Sequence, residues 1–130
     1  MSKTILLIDD DEDDALFFSD ALHEVAPEMT LLYCRAGQEA LDSLTRNKLK
    51  RPDIIFLDIN MPVVSGWECL REIKKVAGFQ AIPIIMYSTA DAAQTGITPE
   101  AVGAAAFYQK STTYNGLKQT LINILTTIFH

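Results

Sequence analysis

Short, almost wholly apolar runs recur along the chain, with amphipathic stretches between them. "TILLI" (4–8), "TLLYC" (30–34), "DIIFL" (53–57), "IPIIMY" (82–87) and "AAAFYQ" (104–109) have strand length and are rich in Ile, Leu and aromatic residues. The first, third and fourth are nearly continuous, as central parallel strands covered on both faces should be. Read as Ile54 to Asp58, the third run has an oddity: a strand that looks buried ends on a carboxylate. Four intervening stretches follow i, i+3, i+4 spacing. Residues 12–26 carry Ala15, Phe18, Leu22 and Val25 on one face, and Pro27 stops them. Residues 37–48 carry Ala40, Leu41 and Leu44, and residues 66–77 carry Trp67, Leu70, Ile73 and Ala77. Residues 113–128 carry Leu117, Leu121, Ile124 and Ile128. The fourth helix of the series is broken or late, because Gly96 and Pro99 interrupt it; Thr98 is a candidate cap for a short helix from Pro99 and Glu100. Five strand–helix units in a row imply an α/β fold with a parallel sheet and helices on both faces.

Composition narrows the classes. A chain of 130 residues without repeat, linker or low-complexity tract reads as one domain with one core. Net charge is −6, and the basic residues are scattered apart from Lys48, Lys50 and Arg51. A nucleic-acid surface needs clustered cations and is not expected. No apolar run approaches the roughly 20 residues of a membrane span, and "MSKTILLIDD" has too short an apolar stretch for a secretory signal. Cys34 and Cys69 form no CxxC and read as free thiols in a reducing compartment, so a cytoplasmic protein is expected.

In an open parallel sheet, ligands bind beyond the carboxyl ends of the strands. Asp9, Asp10 and Asp11 follow the first run, and Asp58, Ile59 and Asn60 close the third. Ser88 and Thr89 follow the fourth and Lys110 the fifth. If the first, third, fourth and fifth strands are neighbours, acids, a hydroxyl and an ammonium share one rim. Two carboxylates about 4 Å apart repel by roughly 1 kcal/mol in water and about 4 kcal/mol at an effective dielectric near 20. Three cannot all stay ionised in a cleft unless one takes a proton or a divalent cation binds. A hard oxygen cluster with room for water suits Mg²⁺. Lys110 is too little charge to balance three acids but well suited to a phosphoryl oxygen.

Asp9-Asp10, Asp58 followed by Asn60-Met61-Pro62 and Gly66, Ser88-Thr89 and Lys110 together resemble the signature set of the receiver domain of two-component response regulators. The stand-alone chemotaxis type is the nearest pattern, and the resemblance runs from about Thr4 to Phe129. It implies a doubly wound, flavodoxin-like (βα)5 fold with strand order 2-1-3-4-5. It implies that Asp58 accepts a phosphoryl group from a phosphohistidine of a histidine kinase or phosphotransfer protein. Asp10, Asp58 and the backbone carbonyl of Asn60 would ligate Mg²⁺, with Asp9 acting through a water. Lys110 would pair with the phosphoryl group and the Ser88 hydroxyl would bond to it, while Pro62 and Gly66 shape the loop. Phe107 holds the position of an aromatic that moves between exposed and buried rotamers in the family; a core aromatic on an edge strand is an equal reading. With no output domain expected, the signal would pass by contact to a separate protein of unknown identity.

Plainer readings stand beside these. Glu12, Asp13 and Asp14 read as acids favourable at a helix N-terminus, each worth about 0.3–1 kcal/mol, and Asp11 as either a helix cap or a metal ligand. The acidic run is a poor EF-hand loop, since Asp14 stands where a Gly is required. His23 and His130 have no metal partners at useful spacing. Ser88 and Thr89 could also be caps. Ser111 stands where the family usually has a Pro after the Lys, so a trans bond and a rearranged loop are expected. Thr89 narrows access to the phosphoryl group and Ala90 offers no side chain to place a water, so slow hydrolysis is expected. Ile122, Leu125 and Phe129 form a second apolar line on the last helix, read with the fourth helix and fifth strand as a face for a partner or a homodimer. Two rivals remain. A Mg²⁺-dependent phosphatase or mutase would want an acid where Asn60 stands, and a flavin module would want a Ser/Thr/Gly-rich loop where the chain is acidic.

Overall fold

The computed structural model describes residues 3–89 and 98–129. Strands and helices alternate as β1 (Thr4–Ile8), α1 (Glu12–Val25), β2 (Thr30–Cys34), α2 (Gly37–Thr45), β3 (Ile54–Asp58), α3 (Gly66–Lys75), β4 (Ile84–Ser88), α4 (Pro99–Val102), β5 (Ala106–Gln109) and α5 (Tyr114–Ile128). The strands are all parallel, in the order β2-β1-β3-β4-β5. That is the expected doubly wound order, and its reversal between β1 and β3 opens a crevice at their carboxyl ends.

Alternation with period two decides which side chains meet which helices. Leu6, Ile8, Ile55, Leu57, Ile84 and Met86 join the core with Leu41 of α2 and Leu70 of α3. Ile5, Leu7, Ile54, Phe56, Ile85 and Tyr87 join the opposite core with Phe18 of α1 and Leu121 of α5. β1, β3 and β4 are buried along their whole length, which is why they read as unbroken apolar runs. Each fully buried aliphatic side chain there stabilises the fold by about 1.5–3 kcal/mol. The alternation continues past the strand ends. Asp9 follows Ile5 and Leu7, Asp58 follows Ile54 and Phe56, and Lys110 follows Ala106 and Tyr108. All three therefore leave the sheet on the side of α1 and α5.

Several boundaries differ from expectation for local reasons. β4 begins at Ile84 because Pro83 has no N–H for the ladder, although its carbonyl still accepts from Ile55 at 3.0 Å. Asp53 lies before β3, and its carboxylate accepts the Thr4 N–H at 2.7 Å. α2 stops at Thr45, two residues before Asn47 turns to φ 54°. α3 stops at Lys75, so Ala77, expected on its buried face, is exposed. Asp11 caps α1 by accepting from the N–H groups of Asp13 and Asp14, which decides its reading as a cap. α4 is short and starts at Pro99, as the breakers predict; Ala90, Gly96 and His130 lie outside the described residues. On α5, Leu125 is buried beside Leu117 and Leu121, and Phe129 packs against the same core. The expected outward apolar line is thereby corrected: Ile122 is its one strongly exposed member. No helix of the described residues is long and apolar enough to cross a membrane. Cys34 and Cys69 are free and buried, and burial pushes the two thiols up to about 11 and about 12, away from the reactive thiolate.

One residue is held against its preference. Val63, 96% exposed, has φ 65°, and the Val64 N–H bonds back to the Pro62 carbonyl at 2.7 Å. A β-branched residue in the left-handed region gains nothing here from burial to offset the strain. Val63→Asn is expected to stabilise the protein by about 1 kcal/mol, because Asn tolerates that region. An unchanged or lower thermal midpoint would contradict this account of the turn.

Candidate functional site

The carboxyl ends of β1, β3, β4 and β5 converge as adjacency requires. Asp58 ends β3 and is 3% exposed; Asp9, just past β1, is 1% exposed. Asp10 lies beside them at the surface, and carboxylate oxygens of Asp9, Asp10 and Asp58 lie within 4.8 Å of one another. The Asp58 carboxylate accepts the Asn60 N–H at 3.1 Å and faces the Lys110 ammonium at 3.5 Å. Burial pushes the Asp58 carboxyl up to about 7; the Lys110 charge pulls against this, while Asp9 raises it again. Burial also disfavours the Lys110 ammonium. Its hydrogen bond to Asp14 and the charges of Asp9 and Asp58 outweigh that penalty and hold its pKa above the ordinary lysine value. Two buried acids and one exposed acid are a hard oxygen donor set with an open side, which fits a small divalent cation.

The surrounding backbone is fitted closely to this rim. Gly66 opens α3 and donates its N–H to the Ile59 carbonyl at 2.9 Å. A Cβ on Gly66 would sit 2.4 Å from the Asp58 carbonyl oxygen, so the helix can seat there only with glycine. Ser88, 4% exposed, accepts the Asn60 side-chain N–H at 2.9 Å, linking the β3 and β4 ends. Thr89 is exposed, and its carbonyl accepts from the Gln109 amide at 3.0 Å. Phe107 is half-buried on the other sheet face, edge-on to Trp67 with ring centres 5.4 Å apart. The Lys110 N–H bonds the Ser88 carbonyl at 2.8 Å, which fixes where the lysine leaves the sheet. The described residues include no cis peptide bond, and the Ser111 hydroxyl builds the following turn by accepting the Thr113 N–H at 3.2 Å.

Two residues at the rim escape the sequence reading. Tyr87 donates its hydroxyl to the Asp9 carboxylate at 2.6 Å, stacks on Tyr108 and lies under the Lys110 ammonium. It was legible only as part of an apolar run, yet its register partner is Asp58, and that pairing was the available signal. Asp14, read as a helix-terminus acid, accepts from Lys110 at 2.8 Å. The Asn60 side chain also belongs to the rim, through its bond to Ser88.

Comparison with known proteins agrees with this geometry. The family model of the response regulator receiver domain matches residues 5–122. The response regulator Rcp1 of Synechocystis sp. is 31% identical over 91 residues, covering 67% of this chain and 62% of that protein. The chain thus spans less than two thirds of that relative's length. The crystal structure of the phosphorylated cyanobacterial phytochrome response regulator RcpA superposes with a TM-score of 0.83 at 26% identity, covering 96% of this chain and 92% of that one. The Mn(2+)-bound form of Rcp1 gives 0.82 at 26% identity, covering 95% and 92%. The chain belongs to the response regulator receiver domain family. Its relatives include signalling response regulators, and the fold is the expected one.

Two measurements test the electrostatics. An acid whose folded pKa is raised costs stability as pH climbs from the unfolded value near 4 through about 7. Asp58→Asn is therefore expected to raise the thermal midpoint by several degrees at pH 8 and by about a third as much at pH 5, without added divalent cation. Equal gains at both pH values would refute the repulsion. Tyr87→Phe removes a donor from a buried carboxylate and is expected to cost about 1–3 kcal/mol in denaturant unfolding; a neutral result would show that Asp9 does not need it.

Proposed function

We propose that this chain is a response regulator that carries a phosphoryl group on Asp58 and signals by protein contact. The observation that carries the reading is a buried carboxyl at the end of β3, set between two acids and one ammonium, with its pKa raised by burial. An Asp58 oxygen attacks the phosphorus of a phosphohistidine on a histidine kinase or phosphotransfer protein. The O–P bond forms as the N–P bond breaks, and the imidazole nitrogen keeps the electron pair and takes a proton. Mg²⁺ held by Asp10, Asp58 and the Asn60 carbonyl, with Asp9 acting through a water, would draw charge from the phosphoryl oxygens. Lys110, already 3.5 Å from Asp58, pairs with the group as it arrives. Ser88 exchanges its contact with the Asn60 amide for one with the phosphoryl oxygen, pulling the end of β4 inward and biasing the face of α4, β5 and α5. Phe107 lies on that route, packed on Trp67.

The chain acts in this reading as a cytoplasmic receiver domain that catalyses only its own phosphorylation and dephosphorylation. Its signal passes by protein contact, and neither nucleic acid nor membrane takes part. A homodimer through the face of α4, β5 and α5 has less support once Leu125 is seen to be buried. The rival phosphatase or mutase is disfavoured by Asn60, whose amide donates to Ser88 where that chemistry needs an acid. Incubation with phosphoramidate and Mg²⁺ should add the mass of one phosphoryl group to the intact protein, and Asp58→Ala should abolish it. Labelling that survives Asp58→Ala would move the acceptor elsewhere, and turnover of phosphate monoesters would favour the enzyme.

A further inference from the structure

Lys110 is surrounded by carboxylates from three elements. Asp14 on the first turn of α1 lies at 2.8 Å, Asp9 past β1 at 3.3 Å and Asp58 on β3 at 3.5 Å. The shortest contact is to the acid outside the metal-type cluster, and it is made at the rim, where the Asp14 side chain is 42% exposed. An ammonium has three N–H donors and no preferred plane, so a single partner does not orient it. Its backbone is fixed by the bond to Ser88, but four methylenes lie between that anchor and the charge. Aromatic rings confine the stem: the ammonium lies 5.1 Å from the Tyr87 ring centre, and Phe17, Phe18 and Tyr108 line the remaining space of about 40 Å³. From that position the ammonium touches Asp14 at the rim and Asp9 and Asp58 further in.

We propose that Asp14 is a positioning residue for phosphoryl transfer: it takes one N–H of Lys110 and thereby aims the other two at Asp9 and Asp58, where the phosphoryl oxygens arrive. This role rests on the reading of Asp58 as phosphoacceptor. It differs from the ordinary effect of a negative charge at a helix N-terminus, which any acid on that turn supplies. Asp13 is the internal control. It is exposed, carries the same charge one position earlier, and makes no ion pair with Lys110.

The test compares wild type, Asp14→Asn, Asp14→Glu and Asp13→Asn by two readouts. The first is the rate of reductive methylation of Lys110 in the unphosphorylated protein, followed by peptide mass mapping. The second is the affinity for beryllium fluoride in the presence of Mg²⁺. Asp14→Asn is expected to speed methylation and weaken beryllium fluoride binding, each about fivefold. Asp13→Asn should stay close to wild type, and Asp14→Glu should recover most of both losses. Asp14→Asn indistinguishable from Asp13→Asn in both readouts would overturn the positioning role. Wild-type protein that takes neither phosphoryl group nor beryllium fluoride would instead overturn the phosphoacceptor reading, and the methylation rates would still report whether Asp14 holds the lysine.

Discussion

Mutual repulsion among carboxylates at one edge of the sheet is the constraint around which the molecule is organised. Asp9 and Asp58 are almost wholly buried, Asp10 is beside them, and a single lysine reaches in. Burial strengthens every one of those interactions by excluding water, so the cluster is both costly to keep and strongly responsive to an added charge. The backbone around it supplies compensation that is fixed before any ligand arrives. The Asn60 N–H reaches Asp58, and the Asp11 N–H and the Tyr87 hydroxyl reach Asp9. These neutral donors steady the carboxylates without adding positive charge. The demand for a cation therefore survives folding, which is what a site that must capture one requires.

The rest of the fold makes that expense tolerable. β1, β3 and β4, whose ends carry the acids and Ser88, have no exposed residue along their length. Rigid, doubly covered strands hold the carboxylates in register where a mobile loop would let them splay apart. The parity of each strand then sorts the chemistry: Asp9, Asp58 and Lys110 emerge toward α1 and α5, whereas Phe107 meets Trp67 on the opposite layer. The Asn60–Ser88 contact ties the β3 end to the β4 end between these layers.

The sheet order and the acid trio were legible because they follow from period, strand ends and an ordered set of motifs. Ile54–Asp58 reads as a strand with an acid at its end from its apolar run alone. What was not legible depends on side chains finding each other across elements. Tyr87 looked like one more apolar residue in a run, and nothing local announces that its hydroxyl meets an acid 78 positions away. Asp14 sits in a stretch where a helix terminus explains every carboxylate, so its pairing with Lys110 was masked by a sufficient simpler cause. Leu125 was misassigned because two neighbouring stripes on α5 are both apolar, and only the packing against α1 decides which one turns inward. Element ends at Thr45 and Lys75 fell short because capping geometry, not apolar periodicity, stops a helix.

Several restraints gather around the Lys110 side chain. Ser111 follows it, and the Ser111 hydroxyl folds back on Thr113 to make the turn. That turn needs room at the start of α5, where a Cβ on Gly116 would stand 2.1 Å from the Ser111 hydroxyl oxygen. Below the lysine, Tyr87 offers its ring to the ammonium and its hydroxyl to Asp9. Beside it, Asp14 holds the charge. A proline would constrain the backbone after the lysine; here the backbone turn is built from hydroxyls, and the constraint falls on the ammonium itself. The same end, a lysine aimed at the acid cluster, is met by restraining the far end of the side chain, where the ammonium has its shortest contact, to Asp14.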